Sequence, residues 1–146
     1  MTKHIIARAN TPGGFTGFTT REATRILPYK ALIFAACPNR MTPGGRILSY
    51  DLMELSTGLK VVTLRTITDC RRWLLEHFTS VIRAMMLKGN QRRIYEMIEH
   101  TESAEALPHD IDYSVIFKGL EEAGIINTSS LDDGLRNEYE NTISMF

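Results

Sequence analysis

Apolar residues cluster in short runs or alternate with polar ones up to Leu64, and recur at helical spacing beyond it. Lys3 to Ala9 (KHIIARA), with Ile5 and Ile6, predicts a first strand. Asn10-Thr-Pro-Gly-Gly14 follows as a turn, because proline fixes one turn φ and glycine supplies the positive φ that the next position needs. Thr19-Thr-Arg-Glu22 has the spacing of a capping box, with the Thr19 hydroxyl accepting from the Glu22 N–H and the Glu22 carboxylate reaching back. That spacing predicts a short helix over 20–26, stopped before Pro28. Lys30 to Cys37, bounded by Pro28 and Pro38, reads as a buried strand. Arg46 to Leu55 alternates, with Ile47, Tyr50, Leu52 and Met53 apolar, then Ser56-Thr57-Gly58 makes a hairpin turn into a return strand from Leu59 to Leu64.

Trp73, Leu74, Phe78, Val81, Ile82 and Met85 form a wide apolar stripe. The longest helix is therefore predicted to start near Thr66–Asp69 and run to Lys88, with Gly89 as its stop. Three further helices are expected. One covers 91–104 (Ile94, Met97, Ile98). Another covers 112–123 (Ile116, Phe117, Leu120) and ends at Gly124. The last covers 131–143 (Leu131, Leu135, Tyr139, Ile143), with Ser130 and Asp133 as a cap pair. The predicted fold class is α+β: a small, mostly antiparallel sheet in the order β-α-β-β-β-α, then a C-terminal three-helix segment. Two units are expected, a basic α+β domain over 1–89 and an acidic helical domain or subdomain over 90–146.

Charge sharpens that division. The chain holds 17 Lys+Arg and 17 Asp+Glu in total. Residues 1–90 carry 13 Lys+Arg against 5 Asp+Glu, a net of +8, and residues 91–146 carry 4 against 12, a net of −8. Halves of opposite sign attract each other or outside partners. The acidic half could pack on the basic one, within a chain or across a homodimer. Alternatively the basic half faces nucleic acid or an acidic protein, or the acidic helices form the contact surface. Basic contact residues are expected at Arg71, Arg72, Arg83 and Lys88 on the long helix, and at Arg40 and Arg46 flanking Pro43-Gly44-Gly45, with Arg8, Arg21 and Arg25 near the front. Acidic ones are expected at Glu121, Glu122, Asp132 and Asp133. Ordinary solvated side chains are the plainer reading of all of them.

Few residues suggest chemistry. Pro12-Gly13-Gly14 precedes the predicted short helix, where phosphate could sit, but no Gly-Lys-Ser/Thr or Gly-x-Gly-x-x-Gly accompanies it. His4, His77, His100 and His109 are scattered and there is no Cys-x-x-Cys, so neither a metal nor a cofactor is expected. Cys37 could act as a nucleophile only with an activating base, and a buried thiol is the simpler reading. Adjacent acids at Glu121-Glu122 and Asp132-Asp133 diverge on a helix and make no catalytic dyad. Arg92 to Glu102, Ala104 to Asp110 and Tyr113 to Gly124 (YSVIFKGLEEAG) together have the rhythm of a winged-helix core, and Leu120–Ile125 (LEEAGI) resembles the end of its recognition helix, but Lys118 stands there against Asp112, Glu121 and Glu122, and another helix signal follows in place of a β wing.

The longest apolar run, Ala31 to Cys37, is too short to span a bilayer, the first residues lack the apolar stretch of a secretion signal, and two cysteines make no disulfide framework. A cytoplasmic location without a membrane partner is expected. The reading these observations favour is a non-enzymatic binding or regulatory protein, of the accessory or inhibitory kind, that occupies a surface of a protein or nucleoprotein complex. A nucleic-acid-binding domain using the basic half and a small enzyme with an unrecognised site are the alternatives.

Overall fold

The computed structural model describes residues 2–10 and 16–127. Six strands precede three helices: β1 (Lys3–Asn10), β2 (Thr16–Ala23), β3 (Arg25–Tyr29), β4 (Leu32–Arg40), β5 (Ile47–Glu54), β6 (Leu59–Leu64), α1 (Ile67–Met85), α2 (Lys88–Glu102) and α3 (Tyr113–Glu122). The class is α+β, with an antiparallel β1–β2 hairpin beside an antiparallel meander β3-β4-β5-β6.

The order corrects the sequence expectation at residues 20–26, which are the end of β2 and the start of β3 on either side of a bend at Thr24. Thr19 pairs with Ala7 and Glu22 with His4, so the backbone groups that a capping box would use belong to the hairpin ladder. The Glu22 carboxylate is taken by Arg40 at 3.1 Å. Thr16–Ala23 is rich in threonine, a β-branched residue that favours a pleated surface, and long-range pairing overrides the local spacing. The turn expected after Asn10 lies outside the described residues. So do the predicted helix over 131–143 and its Ser130–Asp133 cap, and the described part after residue 89 shows two helices, not three.

Neither proline ends a strand. Ala36 O accepts from Thr24 N at 2.9 Å and Ile33 O from Leu55 N at 3.0 Å, so even positions of β4 aim backbone groups at the β3 side and odd ones at β5. Pro38 therefore points its missing donor past Arg25↔Ala36, where the β3 ladder stops. Pro28 pairs with Ile33, which bonds to β5, so Pro28 turns its nitrogen to the free edge, where none is needed.

Gly89 does not stop the long helix either. Thr66 starts it by accepting from Asp69 N at 3.0 Å, as a residue of its type should. Its last carbonyls are closed by side chains from the next helix, Asn90 on Ala84 O and Gln91 on Met85 O, both at 2.7 Å. No left-handed glycine is needed at that end. At the end of α3 it is: Gly124 has φ +74, and Ile125 N returns to Leu120 O at 2.9 Å.

Register sorts the meander's side chains. Leu27, Leu32, Phe34, Ala36, Leu52 and Glu54 share one face, and Ala35, Cys37, Asp51, Met53 and Thr63 the other. Helix α1 covers the first, where Phe78 meets Tyr29 edge-on at 4.9 Å. The hairpin covers the second, through Arg21 on Asp51. With both faces packed, Leu32 and the run Phe34–Cys37 are fully buried, and one hydrophobic cluster continues from them through Leu74, Ile94, Met97, Ile116 and Leu120.

Two junctions hold the parts together. The β5–β6 turn is organised by Glu54, which is 2% exposed. Its carboxylate accepts from Ser56 N (2.8 Å), Thr57 N (2.9 Å) and the hydroxyls of Ser56 (2.7 Å) and Thr57 (2.8 Å). Gly58 completes this turn at φ +75, where a Cβ would meet Met97 Cε at 2.7 Å. The outer edge of β1 is closed in three places. His4 N donates to Asp110 Oδ2 (2.8 Å), Ile6 N to the Tyr113 hydroxyl (2.9 Å), and Arg8 N to Gly58 O (2.8 Å). An exposed row of strand donors is thereby removed.

Candidate functional site: a cationic pocket behind the hairpin

A cavity of about 520 Å³ opens between the β1–β2 hairpin, the β5–β6 pair and α2. Arg8, Arg21, Lys60 and Arg93 line it, with Thr19 and Asp51 among them. Each cation arrives by a different structural device.

Lys60 comes from a β-bulge. Leu52 pairs with Val62, but Met53 pairs with Lys60, which leaves Val61 as the extra residue. In an unbroken ladder Met53 would oppose Val61, and Lys60 would lie on the α1 side of the sheet. The inserted residue reverses that and brings Lys60 to the face of Met53 and Asp51.

Arg21 is fixed by a network across three strands. One nitrogen lies 2.8 Å from Asp51 Oδ2 and another 3.2 Å from Asn39 Oδ1. The remaining Asp51 oxygen accepts from Asn39 Nδ2 (2.9 Å) and Thr63 Oγ1 (2.6 Å). Burial alone would raise the Asp51 carboxyl, but the hydrogen bonds from Thr63, Asn39 and Arg21, together with the Arg21 charge, hold it below its ordinary value.

Arg8 is the deepest, its side chain only 5% exposed. It donates to Thr57 O (2.6 Å) and Arg93 O (2.7 Å), and lies 3.6 Å from Glu96. Its guanidinium also sits 5.0 Å above the Phe18 ring, which stacks on His100 at 4.5 Å. Arg93 is exposed on α2, and among the described residues its guanidinium donates to a neutral group, Asn90 Oδ1, at 2.7 Å and to no carboxylate.

The charges do not cancel. Asp51 offsets Arg21 and Glu96 offsets Arg8, but neither Lys60 nor Arg93 is in an ion pair among the described residues. The pocket therefore carries a surplus of two positive charges over fixed, oriented guanidinium groups. Its wall is otherwise aliphatic, from Ala7, Met53 and Leu59.

The contact residues expected from sequence lie elsewhere. Arg71, Arg72 and Arg83 are exposed on α1, on the opposite side of the sheet from the pocket, and Lys88 is exposed in the first turn of α2. Arg40 is held by Glu22 and by Gly45 O at 2.8 Å, whereas Arg46 is exposed. Glu121 and Glu122 are exposed at the end of α3, and Asp132 and Asp133 lie outside the described residues. Sequence reading noted Arg8 and Arg21 but passed over Lys60 and Arg93. The signal for Lys60 was a lone lysine inside an apolar strand, Leu59-Lys60-Val61-Val62.

Other candidates offer less. Cys37 is fully buried, and burial pushes its thiol up to about 12. Burial also raises the Cys70 thiol. Both are protonated and inaccessible at neutral pH, so a thiol reagent should label neither in the native protein and both after unfolding in denaturant. Rapid native labelling of Cys37, read by mass spectrometry, would contradict this. Among the described residues no three His, Cys, Asp or Glu side chains are grouped to hold a metal ion, and no helix is long and apolar enough to cross a membrane. Compared with protein-family models, curated proteins and solved structures, the chain gives no match.

Proposed function

We propose that this is a non-enzymatic binding protein that covers an anionic surface of a protein or nucleoprotein complex with the outer side of α1, and regulates that complex by occupying it. The composition of that side carries the reading. Arg71, Arg72, Leu75, Arg83 and Met86 are all exposed, on the helix face turned away from buried Cys70, Leu74, Val81 and Met85. Leu75 is 68% and Met86 53% exposed. Exposed aliphatic side chains set among arginines match interface composition better than that of an idle solvated face. Two acids lie on that side: Glu76 is exposed and in no ion pair among the described residues, and Asp69 reaches Arg72 at 3.9 Å in an exposed pair, too weak to withhold the arginine from a partner.

The same arginines support nucleic acid as the alternative partner, and two measurements separate the readings. Affinity capture from the native host should retain a defined complex on the wild-type protein and lose it on an R71E/R72E/R83E variant of unchanged circular dichroism. Equal recovery on both would sink the α1 surface. A gel shift with DNA and RNA at rising salt addresses the alternative: phosphate contacts give a shift that fades with salt, and no shift at low salt removes nucleic acid.

A further inference from the structure

We infer that the pocket behind the hairpin is a binding site for a small phosphomonoester, its phosphate held by Lys60 and Arg93 and backed by Arg8 and Arg21. The site stands apart from α1 and does not depend on the docking reading.

Four observations lead to this ligand class. First, the unmatched charge is two, from Lys60 and Arg93. A phosphomonoester is close to a dianion at neutral pH, whereas a single carboxylate would leave one cation unanswered. Second, the guanidinium groups are fixed before any ligand arrives. Arg21 is clamped by Asp51 and Asn39, and Arg8 by two carbonyls and Glu96. Oriented donors avoid the ordering cost that flexible surface arginines incur on binding. Asp51, the one acid on the wall, has both oxygens engaged by Arg21, Asn39 and Thr63, so it does not face an incoming anion unneutralised.

Third, about 520 Å³ is far more than a free phosphate ion requires, and falls within the range of small-molecule sites. The ligand has an organic body. Fourth, the wall available to that body holds Ala7, Met53, Leu59 and the Thr19 side chain, with no aromatic ring. A polyol or sugar suits such a wall better than a base that needs stacking. The bulge at Val61 gains a purpose here, because it is the irregularity that brings a lysine to this face.

Linkage to folding supplies the readout. Burial first, and then the nearby charge of Arg93, disfavour the charged form of Arg8, and an anion that binds the folded pocket and not the unfolded chain should stabilise the fold. Calorimetric titration and thermal melting with glucose 6-phosphate as probe should show saturable one-to-one binding and a raised Tm. Glucose and acetate should do neither. K60Q and R93Q, at exposed positions where the fold is not at stake, should each weaken binding about tenfold or more, as expected for loss of a charge-assisted contact. Circular dichroism confirms that each variant is folded. R71E/R72E/R83E should bind the probe like wild type, which separates failure here from failure of the α1 surface. No binding at about 10 mM probe, a level that would reveal even weak sites, overturns the assignment. So does equal affinity for glucose or acetate, or unchanged affinity in both K60Q and R93Q.

Discussion

Glu54→Ala should cost about 3–5 kcal/mol of folding stability, seen as a large fall in the urea midpoint at unchanged slope. The side chain is buried and takes hydrogen bonds from two backbone N–H groups and two hydroxyls of the same turn. Alanine supplies no acceptor. The hydroxyls can rotate, but the N–H groups of Ser56 and Thr57 cannot, and each unsatisfied buried donor costs about 1–3 kcal/mol. The loss propagates, because the same turn gives carbonyls to Arg8: Thr57 O to its side chain and Gly58 O to its backbone. Ser56→Ala, which removes one hydroxyl and leaves the acceptor, should cost only about 1 kcal/mol. If Glu54→Ala and Ser56→Ala melt alike, the carboxylate does not organise the turn.

Asp51→Ala is the second large effect, about 2–3 kcal/mol. It strands the Arg21 guanidinium, the Asn39 amide and the Thr63 hydroxyl together. The smaller figure reflects solvent access, since the Arg21 side chain is 26% exposed. The pH dependence gives a separate check. The Asp51 carboxyl is held low, so its contribution is present above about pH 4, the ordinary value for an unfolded aspartate, and is lost as pH falls through the lower folded value. Glu54 behaves oppositely. Burial raises it against the pull of its four hydrogen bonds, so its linkage favours folding below the unfolded value and fades as pH climbs through the raised one. Asp51→Asn should therefore flatten the acid limb of a stability-versus-pH curve, measured by chemical denaturation. An unaltered acid limb would mean that the network does not tune Asp51.

What was legible in the sequence was legible for local reasons. Leu59–Leu64 and the Ser56-Thr57-Gly58 turn follow from alternation and one obligatory positive φ, and α1 from a stripe of six apolar residues and a threonine cap. The misread segment, 20–26, failed because its capping-box spacing is a local signal, whereas the actual partners of Thr19 and Glu22 lie 12–18 residues away on β1 and β4. The pocket was illegible for a related reason. Its cations come from β1, β2, β6 and α2, and one of them reaches this face of the sheet only because the β5–β6 register slips by a residue. Charge counting saw a basic half. It could not see that Arg93, from the acidic half, sits with Lys60 and Arg8.

The closed edge of β1 also bears on how the chain assembles as it is synthesised. Two of its three seals come from residues 106 and 107 positions further along, at Asp110 and Tyr113. The β1–β2 hairpin leaves the ribosome well before α3, and it must wait with bare strand donors until α3 has emerged. Such distant closure slows folding and lengthens exposure to neighbouring chains. A translational pause before residue 110 would thus prolong the interval in which one nascent hairpin can zip onto another.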